Sequence, residues 1–410
     1  MIESTQNAGL TRRAWLRRQA LLAAGVVSTG ARGEEVVRLP FENGERRLVA
    51  FPGKRPLMVL TSRPPQLETP FAVFKEGAIT PNDAFFVRYH LSGLPLGIDA
   101  DIHQLVIGGH VNLPLTLSVA DLKKHFEPVS VTAVLQCSGN GRGYQVPRVG
   151  GGQLGNGAMG NAVWKGVRLK DLLERAGVKS GAVQVSFDGL DRPVMEKTPD
   201  FVKAISVDHA LDGEILVAWE MNGEPLPFLN GFPLRLVVPG HYGTYWIKHL
   251  SKIEVLSEVF TGFWNATAYR IPDNDCGFIA PGTTAARTTE IMRMKVRSFI
   301  TSVLDGEKLE ANRAVTLKGI AFDGGFGINE VQVSVNGGRN WSAATLGKDL
   351  GNYSFREWEL SEVSLAPGAH ELKVRAFNRN GESQPLDALW NPNGYLRNVV
   401  ETTRVEAVRS

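Results

Sequence analysis

From residue 84 onward, short apolar runs alternate with turn residues: AFFVRYHL, HQLVIGGHV, VSVTAVLQC, AVQVSFDGL, GEILVAWEMNG, FPLRLVVPG and IKHLSKIEVL. Each run has the length of a strand, and Gly, Pro, Asn or Asp punctuate the gaps. Two segments change period. In SVADLKKHF, Ser118 stands where an N-cap belongs and Asp121 falls in the first turn. In VRLKDLLERAGV, Leu169, Leu172, Leu173 and Ala176 share one helical face, and Gly177 is a stop signal. Many strands with few helices predict a mixed α+β domain rather than a regular doubly wound sheet. Residues 34 to 80 lack a steady period, and RPPQLETP within them reads as an extended connector.

A second regime begins near residue 285. KVRSFITSVL, AVTLKGIAF, NEVQVSVNGGRNWSAATL, SFREWELSEV and HELKVRAFNRNG are alternating strands, with Asn336-Gly337-Gly338 as a turn that needs positive φ. This spacing predicts an all-β immunoglobulin-like sandwich. The expected division is therefore 1–33, 34–284 and 285–410.

Charge changes the reading of the first part. Residues 1–33 hold five arginines and one glutamate; the whole chain carries +3, so the remainder is close to neutral at −1. A nearly neutral body argues against nucleic-acid binding, which needs a basic face. TRRAWLRR places Arg12 and Arg13 together before the modest apolar stretch ALLAAGVV, and Ala31-Arg32-Gly33 offers a cleavage site. This resembles a twin-arginine export signal and predicts a periplasmic protein, exported folded with its cofactor in place. No apolar run reaches the roughly 18 residues of a membrane span.

Candidate chemistry gathers in four places. The chain has only two cysteines, Cys137 and Cys276. Cys137 ends an apolar run and opens the glycine-rich loop CSGNGRG, where Ser138 and the glycines promise close backbone approach to a ligand and Arg142 attracts an anion. On its own, Cys137 reads equally as a buried structural thiol, half of a disulfide, a nucleophile or a metal ligand. In FFVRYHL, Arg88 and His90 are two apart, so a strand would point both to one face and Tyr89 to the other. In NGFPLRLVVPGHYGTYWIKHL, Asn230, Arg235, Trp246 and Lys248 sit among apolar residues, and a charge inside LRLVV calls for a phosphate or carboxylate. Tyr269 follows in NATAYRIP. The remaining histidines form no ligand spacing and read as structural. There is no phosphate-binding glycine motif and no CxxC.

Taken together, FFVRYHL, LQCSGNGR, GNAVWKGVRLKDLL, ILVAWEMNGEPLP, NGFPLRLVVPGHYGTYWIK and VQVSVNGGRNWSAATL with LWNPNG resemble the sulfite oxidase family of molybdenum enzymes, in the family's order. The resemblance implies a molybdenum–molybdopterin cofactor, with Cys137 as the only protein ligand of the metal. Arg88 and Arg142 would line the sulfite pocket, and Tyr269 would stand beside the metal's oxo group. His90 would contact the pterin or substrate edge. Asn230, Arg235 and Lys248 would hold the pterin and its phosphate, with Ser138 and Trp246 assisting. The resemblance further implies no haem in this chain, and a small c-type cytochrome as the electron acceptor. Two positions depart from the animal pattern: Asn230 replaces a histidine and Asn393 an arginine, with Arg397 as a substitute. The competing reading is a periplasmic molybdopterin sulfoxide reductase, against which the sandwich region argues.

Overall fold

The structure is a computed structural model and describes residues 35–409; the leader expected over 1–33 lies outside them. From Val36 on, the chain forms one compact unit. Its first sheet is a meander of the strands Val36–Arg38, Glu45–Val49, Leu57–Ser62, Pro65–Glu68 and Val87–Arg88. A second sheet runs Lys203–Ser206, Gln184–Asp188, Lys252–Leu256, Gln104–Gly109, Leu115–Ser118, with Lys252–Leu256 and Gln104–Gly109 parallel. The third places Met159–Arg168 between Val129–Gln136 and Leu216–Met221, the latter also pairing with Arg235–Val237.

Helix Val119–His125 starts where the cap predicts: Ser118 Oγ accepts the Asp121 N–H at 3.0 Å, and the Asp121 carboxylate accepts the Ser118 N–H at 2.9 Å. This reciprocal box satisfies donors that the first turn leaves open. Helix Leu169–Ala176 buries Leu169, Leu172, Leu173 and Ala176 completely and ends at Gly177, whose φ of 68° suits glycine. Each buried leucine contributes roughly 1.5–3 kcal/mol. The other two α-helices, Val207–Ala210 and Phe263–Ala266, are single turns. The described chain is thus mostly β, with less helix than a mixed α+β domain implies, because most apolar stretches between turns are too short to bury a helical face.

Beyond Arg297 two sheets face each other. One is Arg297–Ile300, Val315–Phe322, Arg356–Val363 and Thr345–Leu346; the other is Glu307–Glu310, Thr402–Val408, Gly368–Asn378, Ile328–Ser334 and Ser342–Ala343. Leu317, Val331, Trp358 and Leu372 fill the space between them. Gly337 and Gly338 adopt φ of 75° and 95° in the turn that joins Ile328–Ser334 to Ser342–Ala343. The sandwich is not a separate bead. Phe299, Phe322 and Phe355 belong to the main core, and Asn161 Nδ2 donates to Ser354 Oγ at 2.9 Å across the seam. No helix among the described residues is long and apolar enough to cross a membrane.

Candidate active site

The strand Val129–Gln136 pairs along its whole length with Met159–Arg168, from Val129 opposite Gly166 to Gln136 opposite Met159. Its last four residues are buried. Cys137 is the next residue. Its N–H donates to Ala158 O at 2.9 Å, and its carbonyl accepts from Asn140 N at 3.0 Å. The sheet thus holds the cysteine at its edge, at a cavity of about 590 Å³. Arg88, His90, Ser138, Arg235, Trp246, Lys248 and Tyr269 line the same cavity. Cys137 and Cys276 are both free, and Cys276 is exposed with its thiol 3.4 Å from Asn274 Oδ1. The disulfide reading of Cys137 therefore falls.

The cavity wall is cationic. Arg235 is 2% exposed. Its guanidinium lies over Trp164 at 5.3 Å and Trp246 at 5.7 Å, and Nη1 donates to Asn230 O at 2.7 Å. Its Nε is buried with no partner, and burial pushes its pKa down to about 9. Lys248 Nζ lies 4.0 Å from the centre of the Tyr89 ring and donates to the Arg88 carbonyl. Burial first, then Arg235, holds its pKa well below the lysine range. Buried charge without a counter-ion is expensive, so an anion from outside would complete this wall. A free thiolate donor, three cations and an orphaned guanidinium N–H fit an anionic, sulfur-rich metal cofactor. Cys137 would take the metal, and Arg235 and Lys248 the cofactor's phosphate.

A neutral aromatic wall stands opposite. His90 Nε2 meets the Tyr269 hydroxyl, and the His90 ring stacks on Phe201 at 3.8 Å. Burial, then Arg88, holds His90 well below its ordinary pKa, so it stays neutral. Burial raises the Tyr269 hydroxyl above its usual value, which keeps its proton in place. Tyr269 sits at φ 56°, a left-handed backbone that aromatic residues rarely adopt and that gathers at functional sites.

Two expected residues do not line the cavity. Asn230 stands one layer behind: its Oδ1 accepts from Lys54 Nζ at 2.5 Å and its Nδ2 donates to Phe86 O at 3.1 Å. It braces Arg235 through its backbone carbonyl. Arg142 is drawn off by the loop, with Nε donating to Asn393 O at 2.9 Å and Nη1 to Gly152 O at 3.2 Å. It lies over the Tyr395 ring at 5.0 Å, and Tyr395 in turn stacks on Tyr269 at 5.5 Å. Arg397 does not replace it at the cavity, because Glu401 holds it at 3.1 Å. The loop glycines make room for protein rather than for a ligand. A Cβ at Gly139 would meet the Arg142 guanidinium at 2.7 Å, one at Gly141 the Arg397 side chain at 2.7 Å, and one at Gly143 the Phe41 ring at 2.4 Å.

Sequence reasoning missed Tyr89 and Asp191. The strand ends at Arg88, so alternation stops there, and the Tyr89 ring reaches the cavity while its hydroxyl meets His249 Nε2 at 2.7 Å. Asp191 is the one carboxylate of the lining, 6% exposed. Burial raises its pKa to about 6, with Lys248 opposing the rise. In FDGLDRP it looks like any turn aspartate, and no local signal distinguishes it.

A family model described as the oxidoreductase molybdopterin binding domain matches residues 91–264, and one described as the Mo-co oxidoreductase dimerisation domain matches residues 288–407. Mitochondrial sulfite oxidase of Homo sapiens is 34% identical over 358 residues, covering 83% of this chain and 64% of that protein. Sulfite oxidase of Arabidopsis thaliana is 30% identical over 382 residues, covering 87% of this chain and 96% of that one. The fold also matches the sulfane dehydrogenase SoxCD of Paracoccus pantotrophus, at a TM-score of 0.70 and 24% identity over 93% of this chain and 92% of that one. The thiol at the strand end, the cationic wall and these matches have one reading: the chain belongs to the sulfite oxidase family of molybdopterin oxidoreductases.

Proposed function

We propose that this protein oxidises sulfite to sulfate at a molybdenum–molybdopterin centre held by Cys137. Electrons leave one at a time to a small c-type cytochrome, in the periplasm after twin-arginine export. The observation that carries the reading is the meeting of a free thiol with Arg88, Arg235 and Lys248 in one cavity. The paired arginines at Arg12 and Arg13 support the compartment. When bound, the cofactor supplies oxygen-atom transfer and accepts two electrons.

The protein's own groups divide the remaining work. Arg235, wedged between two indoles, fixes a phosphate. Lys248 donates to a backbone carbonyl in the absence of an anion and can exchange that acceptor for an anionic oxygen. An anion beside Lys248 favours its charged form, so binding draws a proton onto the amine. Arg88 supplies a second positive charge where sulfite enters and sulfate forms. Tyr269, neutral and anchored by His90, directs its hydroxyl at the reacting oxygen without moving during the step. Phe201 fixes the plane of His90.

The test is a molybdenum and pterin assay on exported protein, followed by sulfite titration with cytochrome c as acceptor. Sulfite-dependent cytochrome reduction is expected. Oxidation of a reduced dye by methionine sulfoxide, with sulfite inert, would replace this reading with the sulfoxide reductase one.

A further inference from the structure

The single-turn helix Val207–Ala210 and the turn after it gather His209, Asp212 and Glu214, away from the cavity. One donor atom of each lies within 4.8 Å of the others. Local structure sets this up. Ser206 Oγ accepts the His209 N–H at 3.3 Å, and Asp212 Oδ1 accepts the Glu214 N–H at 2.8 Å. The other Asp212 oxygen meets His209 Nδ1 at 2.5 Å. The far ring nitrogen, His209 Nε2, and the Glu214 Oε2 are both shut from solvent with no hydrogen-bond partner. Each such orphan costs about 1–3 kcal/mol. Together they call for a ligand that accepts electron pairs from both.

The surroundings favour a metal cation. His241, 2% exposed, closes the inner side with its ring 4.5 Å from that of His209. Burial, then His209, holds His241 down to about 3, so this neighbour brings no charge. Arg293, a cation of the same neighbourhood, is engaged by the Gly324 carbonyl at 2.9 Å. Asp212 is the exposed member and gives access from solvent.

We propose that His209, Asp212 and Glu214 bind a divalent transition metal of the zinc type, distinct from the molybdenum centre, with water completing the shell. One imidazole and two carboxylates suit that ion. The ion pins the turn before strand Leu216–Met221 to the seam with the sandwich, where Tyr353 faces Glu214. The same corner supports the cavity, because the His241 carbonyl accepts the Trp246 ring N–H at 3.1 Å.

The test uses the full-length matured protein, loaded with Zn²⁺ and dialysed against metal-free buffer. One zinc per chain is expected beside the molybdenum. Co²⁺ in its place is expected to give visible bands of a low-coordinate nitrogen and oxygen site. His209→Gln and Glu214→Gln should each lose at least about tenfold in zinc affinity, while Cys137→Ser should keep it. Circular dichroism checks each variant, and two independent substitutions leave a folded one to read. No retained zinc, or wild-type affinity in the folded ligand variants, overturns the proposal. Loss of zinc in Cys137→Ser with retention in Glu214→Gln assigns the ion to the cavity and overturns it equally.

Discussion

Arg235 and Arg297 are both withdrawn from solvent, 2% and 0% exposed, and burial lowers the pKa of each, to about 9 and about 10. Their surroundings differ. Arg297, at the seam, has Glu401 at 3.2 Å and Asn156 Oδ1 at 3.0 Å, so the protein neutralises it from within. Arg235, at the cavity, has a carbonyl and two indole faces but no carboxylate among its contacts. The difference separates two uses of a buried cation. One joins two parts of the chain, and the other waits for a charge the chain does not contain. Burial alone therefore marks neither as functional. The missing counter-ion does.

Four substitutions break or sharpen this contrast. Cys137→Ser should abolish molybdenum retention and sulfite-dependent cytochrome reduction while the fold persists, as metal analysis and circular dichroism would show. Arg297→Met removes the partner of Glu401 and should cost about 3–5 kcal/mol in urea unfolding. Arg235→Met should do the reverse in cofactor-free protein, leaving stability unchanged or higher, yet lose pterin on purification. Equal destabilisation by the two methionine variants would erase the distinction. Lys248→Met should raise the KM for sulfite about tenfold, the worth of one charged hydrogen bond of roughly 1.5 kcal/mol.

The smallest effect concerns pH. The Asp191 pKa is raised to about 6, so the carboxyl is neutral below that value and negative above it. A negative Asp191 offsets Lys248 and repels an incoming anion. Sulfite affinity should therefore fall as pH rises through about 6, and Asp191→Asn should flatten that part of the KM profile. The same raised pKa means the folded state holds its proton more tightly than the unfolded state between about 4 and 6. Stability from this group thus declines as pH rises across that window.

Much of this was legible in the pattern of residues. Arg235 and Lys248 stood out because charges inside apolar strands need partners, and Ser118, Gly177 and Gly337 set local geometry that no distant contact overrides. What stayed hidden depends on segments that meet only in three dimensions. Arg142 sits beside Cys137 in sequence, but carbonyls from Gly152 and Asn393 pull it away. Its place behind Tyr269 is taken by Tyr395, more than a hundred positions downstream. Asp191 looks like a turn residue until its burial is known. His209 was read as structural because ligand spacing was sought along a helix, whereas its partners lie in the turn that follows.

The stack of Tyr269 on Tyr395 also constrains how the molecule is made. Tyr395 lies beyond the entire sandwich in chain order, so translation must run through the sandwich before the pocket's outer wall can close. Until then the pocket's aromatic side has no backing. Cofactor loading thus has a natural window, open while the downstream strands are still being synthesised and narrowed once Tyr395 docks.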